Sequence, residues 1–181
     1  SKMIVVVGNL KGGTGKSTTV FNLALWHAHH KGDGAVCDLD PQATLRDAID
    51  VRNEEEFEPR LDVRTKLPTR KSGPILVDVG MWDTPAMRAA LRRADRVLIP
   101  VAPSQADVWS TQRFLEIVAD ATKGKINVNQ VKKNAKKCCL RVFPCCGKPE
   151  HDGEAEPEVL AVATAAPDAA PAAPGIAVST V

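Results

Sequence analysis

The chain of 181 residues has no long hydrophobic run and contains no tyrosine. A membrane-spanning helix needs about 18 or more consecutive apolar residues, so we expect no membrane span. The amino terminus also lacks the basic region, hydrophobic region and small-residue cleavage site that together mark a secretory signal peptide. Its short apolar run, residues 3–7, is therefore predicted to be a strand. These absences favour a cytoplasmic protein.

The five cysteines do not show the spacing of a disulfide framework or of a structural zinc site. Cys37 lies in an apolar segment, and the other four form two adjacent pairs at 138–139 and 145–146. Adjacent pairs differ from the usual C-x₂₋₄-C spacing of zinc ligands, so a zinc site that includes His151 is a minor alternative. In a reducing cytoplasm we expect the thiols to remain free.

The strict phosphate-binding pattern G-x-x-x-x-G-K-[ST] is also missing, because Leu10 stands at its first glycine. The segment 11–18 nevertheless reads K-G-G-T-G-K-S-T, between an apolar strand pattern and a helical one. Glycines let the backbone approach phosphate oxygens, and the helix N-terminus attracts the anion. In such a loop Lys16 contacts the β- and γ-phosphates and the Ser17 hydroxyl binds Mg²⁺. An ordinary glycine-rich turn is the alternative, but it leaves these two side chains unexplained.

Short apolar segments alternate with amphipathic ones through most of the chain. Strands are predicted near residues 3–8, 35–40, 74–80, 96–101 and 125–131, with a short one near 61–63, and helices near 16–30, 43–50, 85–94 and 107–121. Asp83 or Thr84 is expected to cap the third helix, with a proline in its first turn. The alternation indicates an α/β fold in which a mostly parallel sheet carries helices on both faces. Ligands of such folds bind beyond the carboxyl ends of the strands.

Three acidic residues follow predicted strands at that edge. Asp78 ends an apolar strand, as a Walker-B carboxylate does, and is expected to hold a water bound to Mg²⁺. Asp38 and Asp40 alternate along one strand, so their side chains share a face. The alternative for each acid is a simple strand-end or turn-capping role.

The loop with its additional lysine, Lys11, resembles the deviant Walker-A ATPases of the ParA/MinD family. The resemblance implies a P-loop NTPase-like fold in which Lys11 reaches across a nucleotide-sandwich dimer to the partner's phosphates. It also implies that Asp38 lies close to Mg²⁺ and that Asp40 orients and activates the attacking water. Asn129 resembles the strand-end asparagine that touches adenine. The segments 77–91 and 94–109 are similar to small ParA-type DNA-partition ATPases.

The expected site residues follow from the motif and this resemblance. They are Lys11, Lys16 and Asp40 for catalysis; Lys11, Gly12, Gly13, Thr14, Gly15, Lys16, Ser17, Thr18 and Asn129 for nucleotide binding; and Ser17, Asp38 and Asp78 for the metal. ATP and Mg²⁺ are the implied cofactors, with weak, partner-stimulated hydrolysis. The implied partners are a second copy of the chain, non-specific DNA and a centromere-binding partition protein, with a nucleoid-associated location and no membrane. A P-loop small-molecule kinase or ligase and a MinD-like division regulator are the alternatives.

The resemblance ends near residue 137, where the composition changes. It implies a C-terminally incomplete ATPase domain at residues 1–137, followed at 138–181 by an atypical segment that is rich in Cys, then in Ala and Pro. We expect this segment to be a disordered tail, either a native ending or one produced by a frame change. The eight Lys and Arg residues of 123–148, a range without any acid, either contact DNA phosphates or form a solvated face.

Overall fold

A computed structural model describes residues 3–32, 35–69, 73–101 and 105–128, together with two strands at 159–164 and 179–180. In chain order the elements are β1 (Ile4–Val7), α1 (Lys16–Lys31), β2 (Ala35–Asp38), α2 (Thr44–Glu54), β3 (Val63–Arg64), β4 (Ile75–Asp78), α3 (Pro85–Arg93), β5 (Arg96–Val101), α4 (Gln105–Thr122), β6 (Val159–Thr164) and β7 (Ser179–Thr180). No helix within these ranges is long and apolar enough to cross a membrane.

The strands form one sheet in the order β3-β2-β4-β1-β5-β6-β7. The first five strands of this order pair in parallel, which confirms the predicted mostly parallel sheet. Asp78 at the end of β4 is in register with Asp38 on one side and with Val7 on the other. The carboxyl ends of β1, β2 and β4 are therefore level, and the loops that follow them meet at one edge.

Helices cover both faces of this sheet, because successive side chains of each strand point to opposite faces. Ile4 and Val6 of β1 belong to a buried cluster with the apolar sides of α3 and α4. Val5 and Val7 belong to a second cluster, which includes residues of α1 and α2. The all-apolar sequence of β1 is the pattern of a strand that is buried on both faces.

The ends of two helices follow local chemistry. The Thr84 hydroxyl accepts a hydrogen bond from the Met87 N–H at 3.1 Å, so Thr84, and not Asp83, caps α3. Pro85 occupies the first turn of that helix, where its missing N–H is not needed. Gly15 precedes α1 with φ of 81°, a left-handed conformation that glycine adopts without steric cost.

The carboxyl-terminal half differs from the sequence expectation. Residues 125–128 contain only an isolated bridge at Ile126, and the rest of the strand predicted at 125–131 lies outside the described residues. β6 pairs antiparallel with β5, and β7 pairs antiparallel with β6; neither strand was predicted. The run V-L-A-V-A-T of β6 is apolar and partly β-branched, which suits a strand that extends a sheet edge. The other residues of 138–181, with the four paired cysteines, lie outside the described ranges.

Candidate functional site

The loop between β1 and α1 is shaped by two kinds of glycine. Gly13 and Gly15 have φ of 73° and 81°, which a residue with a side chain rarely adopts. Gly8 is required by space: a Cβ there would lie 2.5 Å from Cζ of Phe114 and 2.8 Å from Cγ2 of Val79. The loop therefore leaves β1 in close contact with α4 and with the end of β4. Gly8 was not predicted, because its neighbours are distant in sequence.

The side chain of Lys16, the first residue of α1, lies against the backbone of this loop. The residue is 7% exposed, and its ammonium donates a hydrogen bond to the Lys11 carbonyl oxygen at 2.8 Å. Burial lowers the pKa of Lys16, while the negative charges of Asp78 and Asp40 act in the opposite direction. Ser17 is half-buried in the next position, and Thr18 is exposed on the first turn of α1. The loop thus presents a desolvated cation beside backbone N–H groups, as phosphate binding requires.

Asp78 is a buried carboxylate at the end of β4. It is fully buried, and neither of its oxygens has a hydrogen-bond partner within the described residues. Burial raises its pKa to about 6; the nearby Ser17 side chain and Lys16 lower the pKa, whereas Asp38 and Asp40 raise it. Although Ser17 is close enough to affect this pKa, its hydroxyl completes no hydrogen bond to the carboxylate. A buried ionisable group without a partner is costly, which points to a ligand that would compensate it.

The two acids at the end of β2 have different local roles. The carboxylate of Asp38 accepts hydrogen bonds from the N–H groups of Asp40 at 2.9 Å and Arg46 at 3.0 Å. Burial raises the pKa of Asp38, and these two hydrogen bonds act against that rise. Asp38 therefore fixes the turn after β2 and the first turn of α2. The Asp40 carboxylate accepts a local hydrogen bond, at 3.0 Å, from the Gln42 N–H.

Gly80 allows the turn after β2 to lie against the end of β4. A Cβ at Gly80 would be 2.9 Å from Oδ1 of Asp40, so even alanine would displace this carboxylate. Gly80 was predicted only as part of a strand end, and its proximity to Asp40 was not predicted. Gly80 lies in the segment 77–91 that resembles partition ATPases, which could have marked it as a functional position. Its contact with Asp40, however, depends on the packing of two separate loops.

The Lys11 side chain contacts a different element from Lys16. Its ammonium forms an ion pair with Asp107 in the first turn of α4. The Asp107 side chain is 1% exposed and that of Lys11 is 39% exposed, so the pair lies at the boundary between core and solvent. The sequence analysis placed Asp107 at the start of a helix and gave it no role.

Buried Asn9 joins the start of the loop to the same helix. Its side-chain amide donates to the Pro100 carbonyl at 2.9 Å and to the Thr111 hydroxyl at 3.2 Å. Its side-chain carbonyl accepts a hydrogen bond from the Ser110 hydroxyl at 3.0 Å. This residue was also missed by sequence reasoning, because a lone asparagine after a strand carries no signal of its distant partners.

The donor set fits Mg²⁺ bound together with a nucleotide better than Mg²⁺ bound alone. No group of three or more His, Cys, Asp or Glu side chains in the described part of the chain could hold a metal ion. Mg²⁺ prefers oxygen ligands, keeps several waters and is commonly shared with phosphates. The unpartnered oxygens of Asp78 beside Ser17 supply the protein's share of such a site. Asn129, predicted to touch adenine, lies outside the described residues.

Residues 5–140 match the family described as the CobQ/CobB/MinD/ParA nucleotide binding domain. The chain belongs to this family. The match covers more than half of the chain and includes the loop and all three acids at the strand ends, so the predicted membership of the ParA/MinD group of P-loop ATPases is confirmed.

Similar proteins include the maintenance of carboxysome distribution protein A of Halothiobacillus neapolitanus, which is 28% identical over 131 residues. That similarity covers 66% of this chain and 59% of the relative's own length. A plasmid partition protein from Borrelia burgdorferi has the same fold, with a TM-score of 0.59, 17% identity, and coverage of 75% of this chain and 83% of that one. A plasmid partition protein from Borrelia burgdorferi B31 bound to AMPPNP also has this fold, with a TM-score of 0.55 and 18% identity. That match covers 65% of this chain and 70% of the other.

Proposed function

We propose that the chain is an Mg²⁺-ATP-dependent partition ATPase that dimerises on ATP, binds DNA non-specifically and separates plasmid or chromosomal DNA with a centromere-binding partner. The observation that carries this proposal is the position of the two loop lysines. Lys16 is buried near the acids of the strand ends, whereas Lys11 is partly exposed and pairs with Asp107 of α4. One chain therefore has a buried cation for its own nucleotide and a second, partly exposed cation that contacts a different element.

Each side of the loop has a distinct part in this function. Lys16 and the loop N–H groups would bind the β- and γ-phosphates, Ser17 would hold Mg²⁺ and Asp78 a water bound to it, and the ion would offset part of the negative charge of the phosphates. Asp40, whose carboxylate is locally anchored and only partly buried, orients the attacking water. Phosphoryl transfer needs positioning and charge stabilisation more than covalent chemistry, so these groups suffice.

Two features support a role in dimerisation and DNA binding. The partial exposure of Lys11 leaves its ammonium accessible to the phosphates of a second copy. Lys123 and Lys125, the described members of the basic run, are exposed after α4, where they can contact DNA phosphates without sequence preference. The name of the similar Halothiobacillus protein suggests a second candidate cargo, the carboxysome, which the same ATP-dependent cycle would distribute.

The test compares Lys11→Ala with wild type and with Lys31→Ala, which removes an exposed lysine at the far end of α1. Sedimentation with Mg²⁺-ATP, with Mg²⁺-ADP and without nucleotide should show an ATP-dependent dimer for wild type and Lys31→Ala. Lys11→Ala should bind ATP within about threefold of wild type yet remain monomeric, because it loses the cation that acts on the partner. A normal ATP-dependent dimer of Lys11→Ala would instead favour the kinase or ligase alternative.

Retention on DNA is the second measurement. Wild type with Mg²⁺-ATP should bind DNA of unrelated sequences equally, and the binding should fall steeply with salt. DNA together with a centromere-binding partner should raise ATP turnover above the basal rate. A chain that dimerises but ignores DNA would contradict the DNA cargo and leave the carboxysome candidate.

A further inference from the structure

We infer that a cavity at the amino edge of the sheet binds an aliphatic carboxylate, with the apolar chain beneath α1 and the carboxylate at Arg96. The cavity has a volume of about 390 Å³, which is within the range of small-ligand sites. It lies between the second half of α1 and the amino-terminal parts of β1, β2, β4 and β5. The phosphate loop follows the opposite end of β1, so this cavity is separate from the nucleotide site.

The floor of the cavity is one row of side chains across four neighbouring strands. Val36, Leu76 and Val5 are in register on β2, β4 and β1, and Arg96 of β5 is in register with Val5. All four residues line the cavity. Since neighbouring strands are about 4.8 Å apart, the row is about 14 Å long. An extended apolar chain therefore suits this floor better than a compact ring does.

The roof of the cavity leaves space because α1 presents small side chains to the sheet. Ala24 and Ala28 are four residues apart, on the same face of the helix, and both line the cavity. Leu76 below them is only partly buried, although the other residues of β4 are buried. Protein interiors are usually packed too densely to leave such a space. An apolar chain in the cavity would remove the exposed part of Leu76 from water, which is favourable.

The charges at the two ends of the row give the ligand a direction. Arg60 and Asp62 line the cavity just before β3 and carry opposite charges, and Asp62 forms an ion pair with Arg64 at 3.1 Å. Asp62 is the only acid among the described residues that line the cavity, and β3 is four strands away from β5 in the sheet. The exposed guanidinium of Arg96 can therefore bind a carboxylate through two parallel hydrogen bonds while the chain lies on the apolar row.

The experiment titrates the full chain, without nucleotide, with dodecanoate below its critical micelle concentration and measures the heat of binding. We expect saturable binding. Dodecyltrimethylammonium has the same chain and the opposite charge, so it should bind at least about tenfold more weakly. Decanoate should also bind about tenfold more weakly, because its shorter chain buries fewer CH₂ groups. Acetate, which lacks the chain, should not bind detectably.

Variants locate the site. Arg96→Gln should weaken dodecanoate binding about tenfold and remove most of the preference over the ammonium compound, whereas Arg113→Gln, an exposed change on α4, should keep both. Ala28→Phe should fill the cavity and abolish binding of both compounds, and Ala86→Phe, an exposed change on α3, is its control. Because Trp26 lines the cavity, dodecanoate should change the tryptophan fluorescence of wild type but not that of Trp26→Phe.

If Ala28→Phe does not fold, as judged by thermal unfolding, Arg96→Gln still tests the position of the carboxylate, because it changes an exposed side chain. The inference is wrong if wild type shows no saturable binding of dodecanoate, if both compounds bind equally, or if Arg96→Gln keeps the preference. A dimer that forms without nucleotide and is lost in Ala28→Phe would also overturn it, because a second copy of the chain would then cover the cavity.

Discussion

The two sides of the phosphate loop hold the same type of residue in opposite surroundings. On the inner side Lys16 is buried near acids from two strand ends, of which Asp78 has no hydrogen bond in the described structure. On the outer side Lys11 is partly exposed and paired with one acid from α4. The inner side is incomplete without a ligand, whereas the outer side is already neutralised. The difference shows that the elements surrounding each lysine, and not its residue type, determine its role.

The largest expected effect comes from removing the inner cation. Lys16→Ala should abolish detectable nucleotide binding, a loss of at least about 100-fold in affinity, because a desolvated charge on the phosphates is worth several kcal/mol. Titration with a fluorescent ATP analogue measures it, and Lys31→Ala is the control at the other end of α1. The comparison of the two sides would fail if Lys16→Ala and Lys11→Ala weakened ATP binding equally.

The next effect concerns the unpartnered acid. The pKa of Asp78 rises from 3.8 to about 6 on folding, so the folded chain binds this proton more tightly than the unfolded chain does. The resulting stability is full below about pH 3.8 and is lost as the pH rises through about 6. Without nucleotide or Mg²⁺, Asp78 should therefore make the protein about 3 kcal/mol less stable at neutral pH than at acid pH.

Asp78→Asn tests this, since asparagine does not ionise. In urea unfolding across this pH range, the stability of Asp78→Asn should not fall as the pH rises. The control Asp50→Asn, a change on the exposed face of α2, should lose stability with rising pH as wild type does. Parallel pH profiles for wild type and Asp78→Asn would show that the inner side is not electrostatically incomplete. At neutral pH the variant should also bind Mg²⁺-ATP more weakly than wild type.

The smallest expected effect tests whether Gly80 sets the position of the Asp40 carboxylate. Gly80→Ala would place a methyl group 2.9 Å from Oδ1 of Asp40, so that the carboxylate must shift. We expect ATP turnover to fall about threefold to tenfold, because positioning of the attacking water depends on this side chain, with ATP affinity within about twofold. Steady-state hydrolysis and the analogue titration measure the two quantities. In an Asp40→Ala background, Gly80→Ala should have no further effect on turnover; an equal additional loss would mean that Gly80 acts elsewhere.

Sequence patterns predicted most of the parallel half of the fold. The apolar residues of β1, the glycines before α1 and the threonine cap of α3 act through neighbours in sequence, so their consequences could be predicted from spacing. The inner side of the site could be predicted for the same reason, since parallel strands end at one edge. The antiparallel strands β6 and β7 could not, because each depends on a partner strand that its own sequence does not specify.

The sequence by itself determined that a lysine, a serine and a flexible backbone turn stand between a buried strand and a helix, and that acids follow two neighbouring strands. These features depend on residues a few positions apart, whose geometry is set by the backbone. Only the tertiary structure decided that Asp107 holds Lys11, that Gly80 makes room for Asp40 and that Gly8 lies against Phe114. Those contacts join segments that are far apart in the chain, and they exist only because the helices pack onto the sheet.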